Sequence, residues 1–231
     1  MVRSDLFGEN IEQQAQGRFT LQNRRMLKVR LDGESGGEVM ARQGAMVAYQ
    51  GAVDFAFQGS GVGKFLKKAL TGEGLPLMRV TGQGDVFMAD DAAEIHIIDL
   101  EGEGLTVNGR NVLAFDPSLS WDVKRVEGAS MLSGGLFNTV FTGTGQIAIT
   151  SRGTPVVLAV DAPTFADVQA LVAWSSSLRS SLRRTATAGA LIGRGSGEAY
   201  QMAFEGQGFV IVQASEGIKV PPHSHGGSSF G

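Results

Sequence analysis

Three short strings of one pattern divide the chain into segments of similar length. Each string contains an apolar residue, two glycines separated by one residue, and a β-branched residue: Val80–Val86 (VTGQGDV), Phe141–Ile147 (FTGTGQI) and Phe204–Val210 (FEGQGFV). Their first glycines, Gly82, Gly143 and Gly206, are 61 and 63 residues apart. Self-similarity at a fixed period is typical of repeat architectures, so this spacing constrains the fold before any element is assigned.

A second set of three strings alternates with the first set along the chain. Val47-Ala48-Tyr49, Leu113-Ala114-Phe115 and Val172-Ala173-Trp174 each read aliphatic, alanine, aromatic. Together the two sets predict one domain over residues 1–217, made of three repeats at about 5–75, 76–135 and 136–217. Residues 218–231 are rich in Gly, Ser and Pro and have little to bury, which predicts a disordered tail.

The residue pattern within the segments is typical of β-strands. Short runs of β-branched and aromatic residues, such as Met26–Leu31 and Phe209–Val212, are bounded by Gly, Asn or Asp. With 33 glycines, the chain uses about twice the average proportion of this residue, which indicates many tight turns. We therefore predict an all-β protein of three similar antiparallel modules around a pseudo-threefold axis. Hairpin turns are predicted at Arg24-Arg25, Asp32-Gly33 and Asn108-Gly109.

Two segments also have helical spacing. Residues 163–184 read as a helix when taken alone, but the repeat partner at 111–125 contains Pro117 and alternates apolar and polar residues. We therefore predict strands at residues 163–184 and at residues 111–125. Residues 62–70 place Phe65 and Leu66 on one side and three lysines on the other, which predicts one short helix.

Three stretches resemble the altered-inheritance-of-mitochondria (mitochondrial biogenesis) family, and the likeness covers roughly residues 5–217. They are residues 37–49 (GEVMARQGAMVAY), 70–75 (LTGEGL) and 135–145 (GLFNTVFTGTG). The resemblance implies a triplicated, shortened double-stranded β-helix similar to the tryptophan RNA-binding attenuation protein. It implies no functional residues, since the family has no established activity or catalytic motif. Fungal members are mitochondrial, but acidic residues at Asp5, Glu9 and Glu12 do not suit a transit peptide, so we expect a bacterial, cytoplasmic member.

Composition excludes several classes of site. The chain has no Cys, which rules out disulfides, thiolate nucleophiles and Cys-based metal centres. Its 20 basic and 23 acidic residues do not give the overall positive field of a dedicated nucleic-acid binder. The longest apolar runs, such as Val156–Val160, are far shorter than the roughly 20 residues that cross a bilayer. No transmembrane segment is predicted.

Two motifs resemble catalytic or phosphate-binding loops but lack the required context. Ser35 lies in a Gly-x-Ser-x-Gly string, yet strand-like runs flank it where a nucleophile elbow needs a following helix. Residues 59–64 (GSGVGK) resemble a phosphate-binding loop, but Gln58 stands in place of the leading Gly and Phe65 in place of Ser or Thr. We predict a hairpin turn at Ser35 and a flexible lead into the short helix at residues 59–64, with no catalytic residue and no cofactor.

Possible metal ligands are few. His223 and His225 lie in the predicted tail, which supplies no fixed ligands. Asp90 and Asp91, with Glu94 nearby, read as a polar turn, and His96 reads as a strand residue among isoleucines. We predict no metal site.

Charge placement gives one candidate surface for anions or a partner. No acidic residue lies between Val168 and Arg194, and Arg179, Arg183 and Arg184 accumulate there. Other basic groups occur at residues 24–30 (Arg24, Arg25, Lys28, Arg30) and at residues 64–68. A solvated surface explains all three groups, and binding to nucleic acid or to an anionic membrane surface is the open alternative.

These features favour a non-enzymatic structural or scaffolding protein that acts through the surfaces of a β ring and contacts a protein partner. The alternative is a module for a small ligand or nucleic acid, which rests on analogy with the attenuation protein. Three modules do not close a ring of the size that the resemblance implies. A homotrimer with nine modules is therefore the expected closure.

Overall fold

The computed structural model describes residues 4, 6, 10–14, 16–34, 36–57, 75–125, 137–185 and 199–215. These ranges contain seventeen strands and a 3-10 turn at Gly109–Asn111. The first strands are β1 (Phe19–Asn23), β2 (Met26–Leu31), β3 (Glu38–Arg42), β4 (Met46–Phe57) and β5 (Leu77–Met88). The next are β6 (Glu94–Glu101), β7 (Leu105–Asn108), β8 (Val112–Phe115), β9 (Ser120–Arg125), β10 (Phe137–Thr142) and β11 (Thr144–Ser151). The last are β12 (Val156–Val160), β13 (Thr164–Asp167), β14 (Leu171–Ser175), β15 (Arg179–Thr185), β16 (Ala199–Glu205) and β17 (Gly208–Val212).

The predicted all-β class is confirmed, and all the strand pairs are antiparallel. Residues 163–184 form β13, β14 and β15, and residues 111–125 form β8 and β9, so the repeat overrides the helical spacing as predicted. The predicted short helix at 62–70 lies outside the described residues.

The strands form three sheets. An eight-stranded sheet has the order β1-β2-β5-β3-β8-β11-β6, with β4 paired to the other edge of β5. The other two sheets have the orders β12-β17-β14-β7-β10-β9 and β13-β16-β15. In the first sheet the Ile95 amide donates to the Arg24 carbonyl oxygen at 2.8 Å, which brings β6 back to the β1–β2 turn. This sheet therefore nearly closes into a barrel.

Three apolar cores lie inside this framework. The first is enclosed mainly by β1 to β5 and includes Leu27, Val29 and Val86. The second lies among β7, β8, β10 and β11 and is centred on Phe115 and Phe141, whose ring centroids are 4.9 Å apart. The third contains Trp174 and Phe204. All residues of β7, β8 and β14 are buried, so these strands are covered on both faces.

The Gly-x-Gly string of β5 lies inside a paired strand and forms no turn. At Gly84, φ is +149°, and an added Cβ would lie 1.9 Å from the Gln50 carbonyl oxygen of β4. At Gly82, φ is +134°, and the same atom would lie 2.1 Å from the carbonyl oxygen of Ala52. The two backbones therefore approach so closely that only glycine fits.

One predicted hairpin turn is confirmed and two are wrong. Arg24-Arg25 reverses the chain between β1 and β2, which pair. At Asp32-Gly33 a bridge between Asp32 and Gly36 closes a tight loop, but β2 and β3 do not pair with each other: they pair with successive parts of the same edge of β5. At Asn108-Gly109 the chain passes between two sheets, because β7 pairs with β10 and β14 while β8 pairs with β3 and β11. Turn dipeptides specify a change of direction, and the pairing partners come from distant strands.

Arg18 ties the start of the chain to two loops. Its Nε lies 2.7 Å from Asp116 Oδ1, and its guanidinium donates to the carbonyl oxygens of Gly36, at 2.9 Å, and Glu38. The other oxygen of Asp116 accepts a hydrogen bond from the Gln146 amide at 2.7 Å. The carboxylate therefore links Arg18 to the β8–β11 pair.

Replacing Gly84 with alanine tests the close approach of β4 and β5. The added methyl group meets the Gln50 carbonyl oxygen in a backbone conformation that side chains rarely adopt. We expect Gly84→Ala to lower the free energy of unfolding in urea by about 3 kcal/mol. Gly33→Ala, whose Cβ meets nothing within 4 Å, is the control and should change it by less than about 1 kcal/mol. Equal stability of the two variants would contradict the assigned pairing.

Candidate functional site

A cleft of about 480 Å³ lies where turns from distant parts of the chain meet. Its walls come from the end of β3, the β5–β6 turn, the 3-10 turn before β8, the end of β11 and the residue after β17. The side chains that carry its chemistry are Arg42, Asp90, Asp91, Arg110, Arg152 and Gln213.

Arg42 and Asp90 form an ion pair in the wall of the cleft. The guanidinium of Arg42 also donates to the Arg110 carbonyl oxygen at 2.7 Å, and the Thr150 hydroxyl donates to the Asp90 carboxylate at 3.4 Å. Asp90 begins a tight turn in which Asp91 and Ala92 have positive φ values of 45° and 54°. This turn holds the Asp90 carboxylate between Arg42 and Thr150.

Arg110 joins two neighbouring turns. Its Nε donates to Asn108 Oδ1 at 3.3 Å, and its terminal nitrogen donates to the Gln169 amide oxygen. Burial lowers the pKa of Arg110, the nearby Arg152 lowers it further, and Asp167 opposes both effects. A guanidinium stays charged in proteins, so this site contains a partly desolvated cation that suits an anionic group.

Arg152 carries the second available cation. Its amide donates to Gln213 Oε1 at 2.9 Å, and Gln213 Nε2 donates to the Gln169 carbonyl oxygen at 3.3 Å. Within the described ranges its guanidinium makes neither a hydrogen bond nor an ion pair. Asp90 neutralises Arg42, so Arg110 and Arg152 are the groups with which the cleft can bind a small anion.

His96 lies on β6, as predicted, and contacts a buried serine. Its Nε2 is 2.8 Å from Ser151 Oγ, and the Ser151 hydroxyl donates to the Gly153 carbonyl oxygen at 2.8 Å. The hydroxyl therefore accepts from the imidazole. Burial lowers the pKa of His96, Glu94 opposes this shift, and Arg24 reinforces it.

The remaining candidate ligands are not brought together. Asp90 pairs with Arg42, whereas Glu94 accepts a hydrogen bond from the Thr154 hydroxyl at 3.1 Å. In the part of the chain that is described, no three His, Asp or Glu side chains lie close enough to hold a metal ion. Ser35, residues 59–64, His223 and His225 lie outside that part.

The basic groups predicted from sequence have different environments. Arg179 and Arg183 are exposed on β15, and the guanidinium carbon of Arg183 lies 5.5 Å from the centroid of the Phe165 ring. The side chain of Arg184 lies outside the described residues. For Lys28 the expectation of a solvated surface is wrong: it is 1% exposed and lies 2.9 Å from a Glu12 oxygen and 3.5 Å from an Asp85 oxygen. Those two carboxylates compensate the buried ammonium group.

Sequence reasoning missed Arg42, Arg110 and Arg152. They are far apart in the chain and none belongs to a recognised motif. The available signal was their position relative to the repeats, since Arg42 and Arg110 shortly precede an aliphatic-Ala-aromatic string and Arg152 follows a Gly-x-Gly string.

Comparisons with known proteins agree with this fold. Residues 19–215 match the family model described as Mitochondrial biogenesis AIM24. An uncharacterized protein of Streptococcus pyogenes serotype M6 is 27% identical over 201 residues, which cover 80% of each chain. A crystal structure of a Streptococcus pyogenes protein has a TM-score of 0.69 at 23% identity and covers 85% of this chain and 92% of that chain. The structural likeness concerns the fold alone.

The described ranges contain no apolar helix of the length that a bilayer crossing requires.

The lowered pKa of His96 predicts a pH dependence of stability. Between the folded-state pKa and the ordinary value of 6.5, the unfolded chain binds more protons than the folded chain. The free energy of unfolding should therefore fall as the pH drops below about 6.5. Urea unfolding at pH 7.5 and 5.5 should show a smaller difference for His96→Gln than for the parent. His223→Gln is the control, and an unchanged pH difference in His96→Gln would contradict the assignment.

Proposed function

The chain belongs to the mitochondrial biogenesis AIM24 family, as the resemblance of three of its stretches implied, and we propose that it is a non-enzymatic structural protein that acts through the surfaces of a ring of β modules. In this proposal each chain supplies three copies of one module, formed by β2–β5, β6–β11 and β12–β17. These bounds lie later than the repeats at 5–75, 76–135 and 136–217, because β5 and β11 pair with the strands that precede them.

Strand pairing supports the three copies. In the second module β11 lies between β6 and β8, and β10 lies between β7 and β9. In the third module β17 lies between β12 and β14, and β16 lies between β13 and β15. In the first module β5 takes both roles: β4 runs along one edge, and β2 and then β3 occupy the other.

Hydrogen bonds at matching positions also support the copies. The Gln146 amide donates to Asp116 Oδ2 at 2.7 Å, and the Phe209 amide donates to Ser175 Oγ at 3.0 Å. Asp116 and Ser175 each follow an aliphatic-Ala-aromatic string, and Gln146 and Phe209 each follow a Gly-x-Gly string. The same kind of side-chain cap is therefore made twice with different residue types, which supports the proposal of repeated modules.

The observation that carries the proposal is the way in which neighbouring modules join. The β3 strand of the first module pairs with β8 of the second, with Ala41 opposite Ala114. The β7 strand of the second pairs with β14 of the third, with Val107 opposite Ala173. The second core accordingly contains Met40 from the first module and Ile211 from the third. Modules that complete each other's cores form an extendable row, as in other repeat proteins.

A closed assembly is expected to be a trimer. Three modules occupy only part of a ring of the size seen in the attenuation protein that the family resembles, and three chains would supply nine. Light scattering after gel filtration should give about 73 kDa, three times the 24.3 kDa of the chain. A monomer at micromolar concentrations would contradict the ring, and masses that grow with concentration would contradict its closure.

The cleft favours a second candidate function, the binding of a small anionic ligand between modules. It is lined by residues of all three modules, and Arg110 and Arg152 present cationic groups there. Titration with inorganic phosphate in a calorimeter tests this role. Arg110→Gln with Arg152→Gln should weaken binding at least tenfold, whereas Arg179→Gln with Arg183→Gln should leave it unchanged. If the Arg179 and Arg183 pair lowers affinity instead, the anion binds at β15.

A further inference from the structure

Two strand edges, one at each end of the row of modules, have no partner strand within the described residues. β13 pairs only with β16, although its counterparts β3 and β7 each pair on both sides. The beginning of β4 pairs only with β5, although its counterparts β8 and β14 pair on both sides. In the third module, β13 therefore has no strand of a following module to pair with. In the first module, the beginning of β4 has no strand of a preceding module to pair with.

The side chains at these edges are exposed where their counterparts are buried. Phe165 on β13 and Tyr49 on β4 are each 49% exposed. At the two joints within the chain, the residues in the matching positions are Met40 and Phe115, and Thr106 and Trp174. These four residues are at most 6% exposed. A half-exposed phenylalanine and tyrosine at matching positions point to a contact that one chain does not complete.

We propose that β13 of one chain pairs antiparallel with the beginning of β4 in a second copy of this chain, with Phe165 opposite Tyr49 and Ala166 opposite Ala48. The inference deepens the proposed ring and rests on the equivalence of the three modules. The partner is a second copy because both joints within the chain have this same register, as the pairs Met40–Phe115 and Thr106–Trp174 demonstrate.

The small residues beside the aromatic pair agree with this register. Ala41 faces Ala114 at the first joint and Val107 faces Ala173 at the second. The corresponding pair between copies is Ala166 and Ala48, so the two strands can approach without a steric clash. The proposed joint thus repeats the pattern of an aromatic or large residue next to a small one.

The part of β4 that would receive β13 is already arranged like β8 in the second module. The ring of Tyr49 packs edge-on against Phe55, with centroids 5.3 Å apart, as Phe115 packs against Trp121 at 5.7 Å. Met40 and Phe115 belong to one core at the joint within the chain. Phe165 of the incoming copy would bury Tyr49 in the same manner, and Arg183, which lies over the Phe165 ring, would stand at the rim.

The contact is head-to-tail, because β13 meets β4 and not a second β13. Each added copy again presents one free β13 and one free β4, so the assembly ends only when a ring closes. In a closed ring the last joint forms within one particle, which strengthens short joints that would be weak individually. Closure also covers the free edges of β13 and of the beginning of β4, and uncovered strand edges can promote aggregation.

Disulfide cross-linking tests the register. Because the chain has no cysteine, only the introduced residues can form a disulfide. Residues directly opposite each other on paired strands lie within the Cα separation that a disulfide spans. We expect the full chain carrying Tyr49→Cys and Phe165→Cys to form covalent dimers and trimers under mild oxidation. Each single variant should stay uncross-linked, as should the double variant Phe57→Cys with Phe165→Cys, since Phe57 is equally exposed at the far end of β4.

Three results would overturn the inference. A covalent dimer of Phe165→Cys alone would show a symmetric contact of β13 with itself. A link within one chain would show that the row closes on itself without a second copy. No link in the Tyr49 and Phe165 double variant, with a trimeric mass by light scattering, would place the joint elsewhere and leave the proposed ring intact, whereas a monomeric mass would remove both.

A charge at the joint gives a second measurement. Phe165→Glu and Tyr49→Glu change exposed side chains, so each variant should stay folded as a monomer, with the far-ultraviolet circular dichroism of the parent. Each should lower the mass from about 73 to about 24 kDa, and Phe57→Glu should leave the mass at about 73 kDa. A trimeric mass for both Phe165→Glu and Tyr49→Glu would contradict the proposed joint.

Discussion

The fold depends on strands that cross from one apolar core to the next. β3 pairs with β5 on one side and with β8 on the other, so its Val39 side chain packs in the first core and its Met40 side chain packs in the second. Because each strand alternates its side chains between faces, one strand can serve two cores. The second core accordingly contains Met40 of β3 and Ile211 of β17 together with residues of β7, β8, β10 and β11.

The sequence was sufficient for the fold class, since the residue patterns that favour strands are local. The glycines of the β5 string and the alternation around Pro117 indicate strands without any knowledge of partners. Pairing was not predictable in the same way. Asn108-Gly109 is a favoured hairpin dipeptide, yet Asn108 caps a 3-10 turn and donates to the Leu171 carbonyl oxygen at 3.2 Å. Contacts between distant strands decide where the chain goes after a turn.

The candidate site was less predictable than the fold. Arg42, Arg110 and Arg152 converge only because three turns from distant parts of the chain meet, and no spacing in the sequence indicates that they do. Lys28 was also not predictable. A lysine in a basic run is expected to be solvated, but two carboxylates, one of them more than 50 residues away in the sequence, compensate its charge in a buried position. Charge composition therefore located neither the buried cation nor the cleft.

The burial of Lys28 has a consequence for how the chain can be shortened. The closer of the two carboxylates beside Lys28 belongs to Glu12, which lies in the segment before β1. That segment therefore supplies a counter-ion to a strand of the barrel. Removing Glu12 leaves the ammonium group with Asp85 at 3.5 Å, and an incompletely compensated buried charge is far more costly than a lost surface pair. The segment before β1 therefore contributes to the stability of the domain, and an expression fragment that starts at β1 would omit the closer counter-ion of Lys28.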